Sequence, residues 1–484
     1  VPEVRWEPHQ LRAAFARRLS ELFGRDVPAY PTLLAATREV NLRVLGSQGA
    51  RAERLGDLSR VGDERHGAIR VGTPRELSQV GRIFAAMGMY PVGFYDLREA
   101  ATRAVPVVAT AFRPLDPPEL ARGPFRVFTS MLVPGDRRFF TADLGRRLDH
   151  ALADRTLFPP LLLDLADRAI AWHGLDPADA ESFLALATDA LRLSPEPVDR
   201  AWFTELSRVC AVAADIGAGR TTHLNHLTPR VLDIDELYAV MRGRGLEMID
   251  TIQGPPHWAG PDLLLRQTSM RALAEHRPFR EPDGTITHGT VRVRFGEVES
   301  RGIAATVRGR ALYDELTAEV EETVADATRS APVPAPERAR LAAELWNRRV
   351  PASEAALAQH DLAYFTYTVE PDGRHPGGPP PLTLPDLLDQ GWIRAEPIVY
   401  EDFLPRSAAG IFQSNLDTAG RRDAAAPGTE LDAAWLAGAL GRPLRDPHTL
   451  YDRLRRDSVA RVAEQLGLPG RLLPVTVSPG DDAP

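Results

Sequence analysis

Gly67–Glu76 (GAIRVGTPRE) compresses a change of secondary structure into a few residues. Gly67–Gly72 reads as a short strand. Thr73, Pro74, Arg75 and Glu76 then have the layout of a capping box: a hydroxyl to accept the first free N–H groups, proline where no donor is needed, and a glutamate three residues on that reaches back. The helix so opened runs to about Met87, and a second strand pattern follows at Tyr90–Tyr95 (YPVGFY). Strand, helix and strand in this order fit a mixed α+β chain.

Outward from this unit, apolar residues recur at helical spacing from Val4 to Leu45, broken by Pro8, Pro28 and Pro31 into at least two helices. Pro124–Leu132 (PFRVFTSML) reads as a strand. Residues of about 141–215 are mostly helical, with runs at Leu161–His173 and Ala180–Leu193, and are read as a large helical insertion. Strand-like segments resume near His226 and at Thr290–Glu299 (TVRVRFGEVE), where Val291, Val293 and Phe295 alternate with Arg292, Arg294 and Gly296. Helices are expected at 309–328 and 335–349, with a C-terminal helical segment at about 430–470. Pro371–Pro381 (PDGRHPGGPPP) reads as a loop, and its His375 as a solvent-exposed bystander. No repeat of 20 to 50 residues appears. Residues 1–484 are read as a single catalytic domain.

Composition removes whole classes of chemistry. The chain has 484 residues, 44% hydrophobic and 26% charged, the balance of an ordered enzyme. All 58 basic residues are arginine. A Schiff-base lysine, a lysine nucleophile and a phosphate-gripping P-loop lysine are therefore impossible. The one cysteine, Cys210, rules out an internal disulfide and multi-cysteine zinc or iron–sulfur sites; in its apolar helical run it reads as a buried, inert thiol. The net charge is −8 and the arginines are interleaved with acids, which argues against nucleic acid or an anionic membrane as partner. No apolar run reaches 18 residues and Val1–Arg5 lacks the layout of a signal peptide, so a cytoplasmic location is expected. G-x-S-x-G, G-x-G-x-x-G after a strand and H-E-x-x-H are all missing.

Histidines, carboxylates and arginines are left to carry chemistry. In Arg65–Arg70 (RHGAIR), His66 and Arg70 are four residues apart and share one face of a strand. His223–Arg230 (HLNHLTPR) offers His223 and His226. Phe295–Glu299 (FGEVE) puts Glu297 and Glu299 on one face, and Gly296 leaves room for close approach. Two imidazoles and a carboxylate make the facial triad of non-haem iron(II) oxygenases, with three coordination positions open. Spacing alone equally allows hydrogen-bonded structural histidines and salt-bridged glutamates.

These words, together with MGMYPVGFYDL (Met87–Leu97), PFRVFTSML (Pro124–Leu132), NHLTPRVLDID (Asn225–Asp235), LLRQTS (Leu264–Ser269), RFGEVESRG (Arg294–Gly302) and VYEDFLPRSAAGIFQSNL (Val399–Leu416), resemble the 2-oxoadipate dioxygenase/decarboxylase family. That family is also called 2-hydroxyglutarate synthase and is related to the vicinal oxygen chelate enzymes. The resemblance implies a curved sheet enclosing a metal site, with the helical insertion and flanking helices around it. It implies that His66, His226 and Glu297 bind Fe(II) and that Arg70 grips a carboxylate of a 2-oxo acid, with O2 as co-substrate. Glu299 is then a supporting carboxylate, and His223 a pocket residue that orients its neighbour. The implied reaction turns 2-oxoadipate into 2-hydroxyglutarate and CO2. One departure stands in FLPRSAAGIF: Arg406, beside Ser407 in a segment expected to line the substrate pocket, stands where the family pattern can carry a small apolar residue. Facing inward, Arg406 would favour a different or longer diacid; facing outward, it is a surface arginine. A zinc or nickel glyoxalase-like isomerase or lyase would use the same ligands, and a non-catalytic binding protein would not need the complete triad.

Overall fold

The computed structural model describes residues 5–56, 58–99, 104–292, 294–328, 333–370, 377–405, 423 and 425–468. Val293, His375, Arg406 and Ser407 lie outside these residues. The strands are β1 (Arg65–Val71), β2 (Tyr90–Asp96), β3 (Val107–Arg113), β4 (Phe125–Leu132), β5 (Val198–Asp199), β6 (His226–Pro229), β7 (Leu265–Ser269), β8 (Glu275–Arg280), β9 (Ile286–Val291), β10 (Glu297–Arg301), β11 (Phe365–Val369) and β12 (Ile393–Pro397).

The capping box forms as expected. Thr73 Oγ1 accepts from Glu76 N at 3.2 Å, and Glu76 Oε2 accepts from Thr73 N at 3.2 Å and Gly72 N at 2.6 Å. The chain thus turns from β1 into helix Pro74–Ala86. Around β1 the five-stranded sheet has the order β2-β3-β4-β1-β6, with β4 parallel to β1 and β6 antiparallel.

The side chains of β1 alternate between two cores. Ile69 and Val71 join helices Pro8–Asp26, Tyr30–Gln48, Pro74–Ala86, Pro160–Trp172 and Pro177–Ala190 on one side, and Ala68 joins the residues packed on the other. His66 and Arg70 share the Ala68 face. Burial of both faces also explains β3, which the sequence reading did not pick out: VVATAFR is buried at every position, so no polar alternation marks it.

The second correction concerns 290–299, read as one strand. It is two. β9 pairs with β8 and ends at Val291; β10 begins at Glu297 and pairs with β7. Between them Phe295 N bonds Asn225 O at 3.2 Å and Gly296 O accepts from Met270 N at 2.8 Å, so the chain crosses from one sheet to another. A Cβ on Gly296 would stand 2.2 Å from Met270 Cε, so a larger residue here would have to displace the end of that side chain. β10 then meets the end of β6 through an Arg230–Glu299 bridge, with Val231 N donating to Glu299 O at 2.8 Å. The sheet curves here and carries β10 and β7 round the inner face of β1 and β6.

Residues 141–215 hold helices Ala142–Ala153, Pro160–Trp172, Pro177–Ala190, Arg200–Ser207 and Ala211–Ala218, interrupted by the short β5, which pairs with β8. Cys210 does not sit within a helix but caps one: its Sγ accepts from Ala213 N at 3.3 Å, and burial pushes the thiol up to about 11. Helices Val307–Thr328 and Ala335–Arg349 follow β10, and Ala433–Leu440 and Pro447–Gln465 lie in the expected C-terminal segment. No helix among the described residues is long and apolar enough to cross a membrane.

Candidate metal centre

β1, β6 and β10 each deliver one donor to the enclosed face. The ligand atoms of His66, His226 and Glu297 all lie within 4.8 Å of one another, and the three residues are 1%, 6% and 1% exposed. His66 Nε2 is 3.5 Å from Glu297 Oε1, and His226 Nδ1 is 3.1 Å from Glu297 Oε2. The imidazoles meet edge to face, with ring centroids 5.2 Å apart at 85°. Phe403 packs at 84° on His66 and Phe295 on His226, which walls the donors with apolar surface.

Neither ring nitrogen of His226 makes a hydrogen bond among the described residues. Its Nδ1 has the Glu297 carboxylate at 3.1 Å, but its buried Nε2 has forgone water without a hydrogen bond from the described residues, a cost of about 1–3 kcal/mol unless something else occupies that nitrogen. Burial, with His66 and Arg70 nearby, holds its pKa well below the usual value, so its nitrogen lone pair is available. A divalent cation fits this donor set and offsets that cost.

Glu299 supports the centre from behind. Its Oε2 lies 2.9 Å from His66 Nδ1, and Arg301 grips the same carboxylate through Nε at 2.7 Å and Nη2 at 2.9 Å. Burial alone would raise the Glu299 pKa, but Arg301 and His66 outweigh it and hold the carboxyl at about 2. Burial likewise opposes protonation of His66, and Glu299 and Glu297 more than reverse it. With Nδ1 engaged by Glu299, His66 turns Nε2 towards Glu297, the orientation a metal-binding imidazole needs. Glu297 itself is raised by burial, which contact with His66 only partly offsets.

Arg70 occupies the same face of β1, buried to 5% exposure. Its Nη1 donates to Asp215 Oδ2 at 2.5 Å. Asp215 also accepts from Asn225 Nδ2 at 3.3 Å and lies 3.4 Å from His223 Nε2. Burial drives His223 down to about 4 in spite of Asp215, so the ring is neutral and its Nε2 can accept from Asn225 Nδ2 at 3.1 Å. Asp215 and His223 also border a cavity of about 30 Å3. A larger cavity of about 400 Å3, lined by Tyr95, Arg310, Tyr400 and Tyr451 among others, is bordered by Phe403 and not by the triad itself.

The three donors expected from the resemblance therefore converge, with Arg70 and His223 close by. The sequence reading missed Asp215, Gln267 and Arg301. For Asp215 a signal existed, since it is the one charged residue in the apolar helix Ala211–Ala218 (AVAADIGA). Gln267, whose Nε2 donates to Glu297 Oε1 at 2.6 Å, stands within the quoted word LLRQTS with nothing local to distinguish it.

A family model described as 2-oxoadipate dioxygenase/decarboxylase matches residues 15–415. A relative of that description from Mycobacterium tuberculosis is 50% identical over 453 residues, which cover 94% of this chain and 98% of the relative. One from Pseudomonas putida is 39% identical over 476 residues, with 95% and 98% covered. Among solved structures, the hydroxyglutarate synthase from Pseudomonas putida in complex with 2-oxoadipate superposes with a TM-score of 0.82 at 36% identity, covering 96% of this chain and 99% of that one.

Proposed function

Because the chain belongs to the 2-oxoadipate dioxygenase/decarboxylase family, we propose that it converts 2-oxoadipate and O2 to 2-hydroxyglutarate and CO2 at an iron(II) ion held by His66, His226 and Glu297. The observation that carries this reading is the convergence of three buried donors, one of them an imidazole whose nitrogens make no hydrogen bond among the described residues. The reaction balances: one carbon leaves as CO2, one oxygen atom enters the new carboxylate and the other the hydroxyl on the adjacent carbon. Iron(II), when bound, supplies the chemistry with O2 that no side chain of this chain can provide, and a two-histidine, one-carboxylate set leaves three positions open for a chelating 2-oxo acid and O2.

The protein's own groups hold, orient and exclude. Glu299, braced by Arg301, fixes the ring of His66. Phe403 and Phe295 keep water from the imidazoles. Arg70 binds a substrate carboxylate with its planar two-pronged cation while Asp215 holds one prong in place. Arg406 would favour a different or longer diacid if it faces the substrate beside Ser407, and would leave the preference unchanged if it faces outward.

The test is anaerobic reconstitution with iron(II) followed by 2-oxoadipate and O2. Equal amounts of O2 consumed, CO2 released and 2-hydroxyglutarate formed are expected, with one metal per chain. His66→Ala, His226→Ala and Glu297→Ala should each bind metal poorly and lose turnover while keeping the wild-type circular dichroism. Bound iron without products would refute the substrate, and wild-type turnover in any of the three variants would refute that ligand. Consumption of 2-oxoadipate without O2 uptake, to products other than 2-hydroxyglutarate, would point to an isomerase or lyase instead.

A further inference from the structure

The two oxygens of Glu297 are not equivalent. Oε2 is 3.1 Å from His226 Nδ1, whereas Oε1 stands farther from its imidazole, 3.5 Å from His66 Nε2, and accepts the 2.6 Å hydrogen bond from Gln267 Nε2. Gln267 is 3% exposed and its backbone is fixed on both edges. In the β7–β10 ladder it stands opposite Glu299, one diagonal step from Glu297, and on the other edge it exchanges hydrogen bonds with Gln253 at 2.7 and 2.9 Å. The amide is oriented with its N–H towards the carboxylate, the one arrangement that gives a hydrogen bond when Glu297 is ionised, as a metal ligand must be. Gln267 Oε1 therefore points away from Glu297, and it is buried without a hydrogen-bond partner among the described residues. A glutamine kept for packing alone would be satisfied at both ends, or replaced by an apolar residue of the same shape.

A carboxylate with both oxygens free can chelate a metal through both and so fill one coordination position more than a carboxylate bound through one. We propose that Gln267 is a positioning residue that occupies Glu297 Oε1 and so restricts Glu297 to ligation through a single oxygen, which keeps open the position O2 needs once a 2-oxo acid has taken two. This inference rests on the metal centre proposed above.

Gln267→Met keeps the length of the side chain and removes the donor; Gln267→Leu is the second variant should the first fold poorly. Anaerobic titration with cobalt(II), followed by its visible absorption, reads the coordination number independently of turnover. We expect one cobalt per chain in the variant, bound with affinity within about tenfold of wild type, and visible bands that weaken as the second oxygen joins the metal. In the iron-loaded variant kcat should fall about 10–100-fold, the range for partners of metal ligands, with KM for 2-oxoadipate changed by less than about threefold. A cobalt spectrum identical to wild type, or loss of metal in proportion to loss of activity, overturns the assignment and leaves Gln267 as packing. If the wild-type protein binds no cobalt, or His66→Ala retains the wild-type spectrum, the metal centre itself is refuted and this inference falls with it.

Discussion

A single arginine illustrates how much rests on the placement of one side chain. Arg70 is four residues from His66 on β1, and its Nη1 is held by Asp215, which in turn meets Asn225 and His223. That environment leaves the guanidinium fixed in orientation, and lysine cannot reproduce its two-pronged geometry. Each charge-assisted hydrogen bond contributes about 1.5–3 kcal/mol, so Arg70→Ala should lower kcat/KM for 2-oxoadipate by about a hundredfold or more, with Arg70→Lys between it and wild type. Iron content should be retained in both variants, because Arg70 is not among the three donors. Metal analysis and steady-state kinetics on the two proteins check this. If Arg70→Ala loses iron while its remaining holo-fraction turns over normally, the arginine is a brace for the centre and not a substrate clamp.

At the scale of elements, the connection from β1 into helix Pro74–Ala86 is fixed by hydrogen bonds within a few residues. Thr73 and Glu76 satisfy each other's backbone donors, and Arg155 holds the Glu76 carboxylate through Nε at 2.6 Å and Nη2 at 2.9 Å. This cap supplies no donor to the centre and should affect stability alone. Thr73→Ala is expected to cost about 0.5–2 kcal/mol, the range for loss of a capping hydroxyl, measured by urea denaturation, with an unchanged cobalt-binding stoichiometry. Loss of metal in that variant would mean that the helix start, and not β1 alone, sets the position of His66. The β9–β10 break makes the opposite case, since its Glu297 end is located by pairing with β7 and by contacts to Asn225 and Met270, all distant in sequence.

Across the whole molecule, a buried set of ions ties the strands of the centre together. Glu64 accepts from Arg126 at 2.7 Å and Arg230 at 2.9 Å, with Arg301 at 3.6 Å and Arg60 at 3.7 Å. Arg126 and Arg60 also pair with Glu401, and Arg301 with Glu299. Residues at the head of β1, in β4, after β6, in β10 and after β12 thus share one network of four guanidinium groups and three carboxylates. Burial and Arg301 push Arg126 down to about 10 even with Glu64 and Glu299 beside it. Such pairs add little net stability against an apolar replacement, but breaking one leaves a buried charge uncompensated, at about 3–5 kcal/mol. Glu64→Gln should therefore lose stability in that range at neutral pH, seen as a lower midpoint in urea at an unchanged slope. A loss below about 1 kcal/mol would place the network nearer to solvent exchange than its burial implies.

What the sequence alone determined is what short-range physics encodes. The cap at Thr73–Glu76, the helices expected at 309–328 and 335–349 and the shared face of His66 and Arg70 all depend on residues a few positions apart. The missing lysines and the single cysteine excluded other chemistry without any fold. The family words named the donors, but spacing could not choose between Glu297 and Glu299, which occupy the same face of one strand. Only tertiary structure decided that one glutamate meets both imidazoles while the other is held by Arg301, that the 290–299 segment breaks, and that Asp215 and Gln267 reach the site. The physical reason is the same in each case. These contacts join strands and helices that are remote in sequence, and they are set by sheet order and by the curve from β6 to β10, which no local pattern of residues encodes.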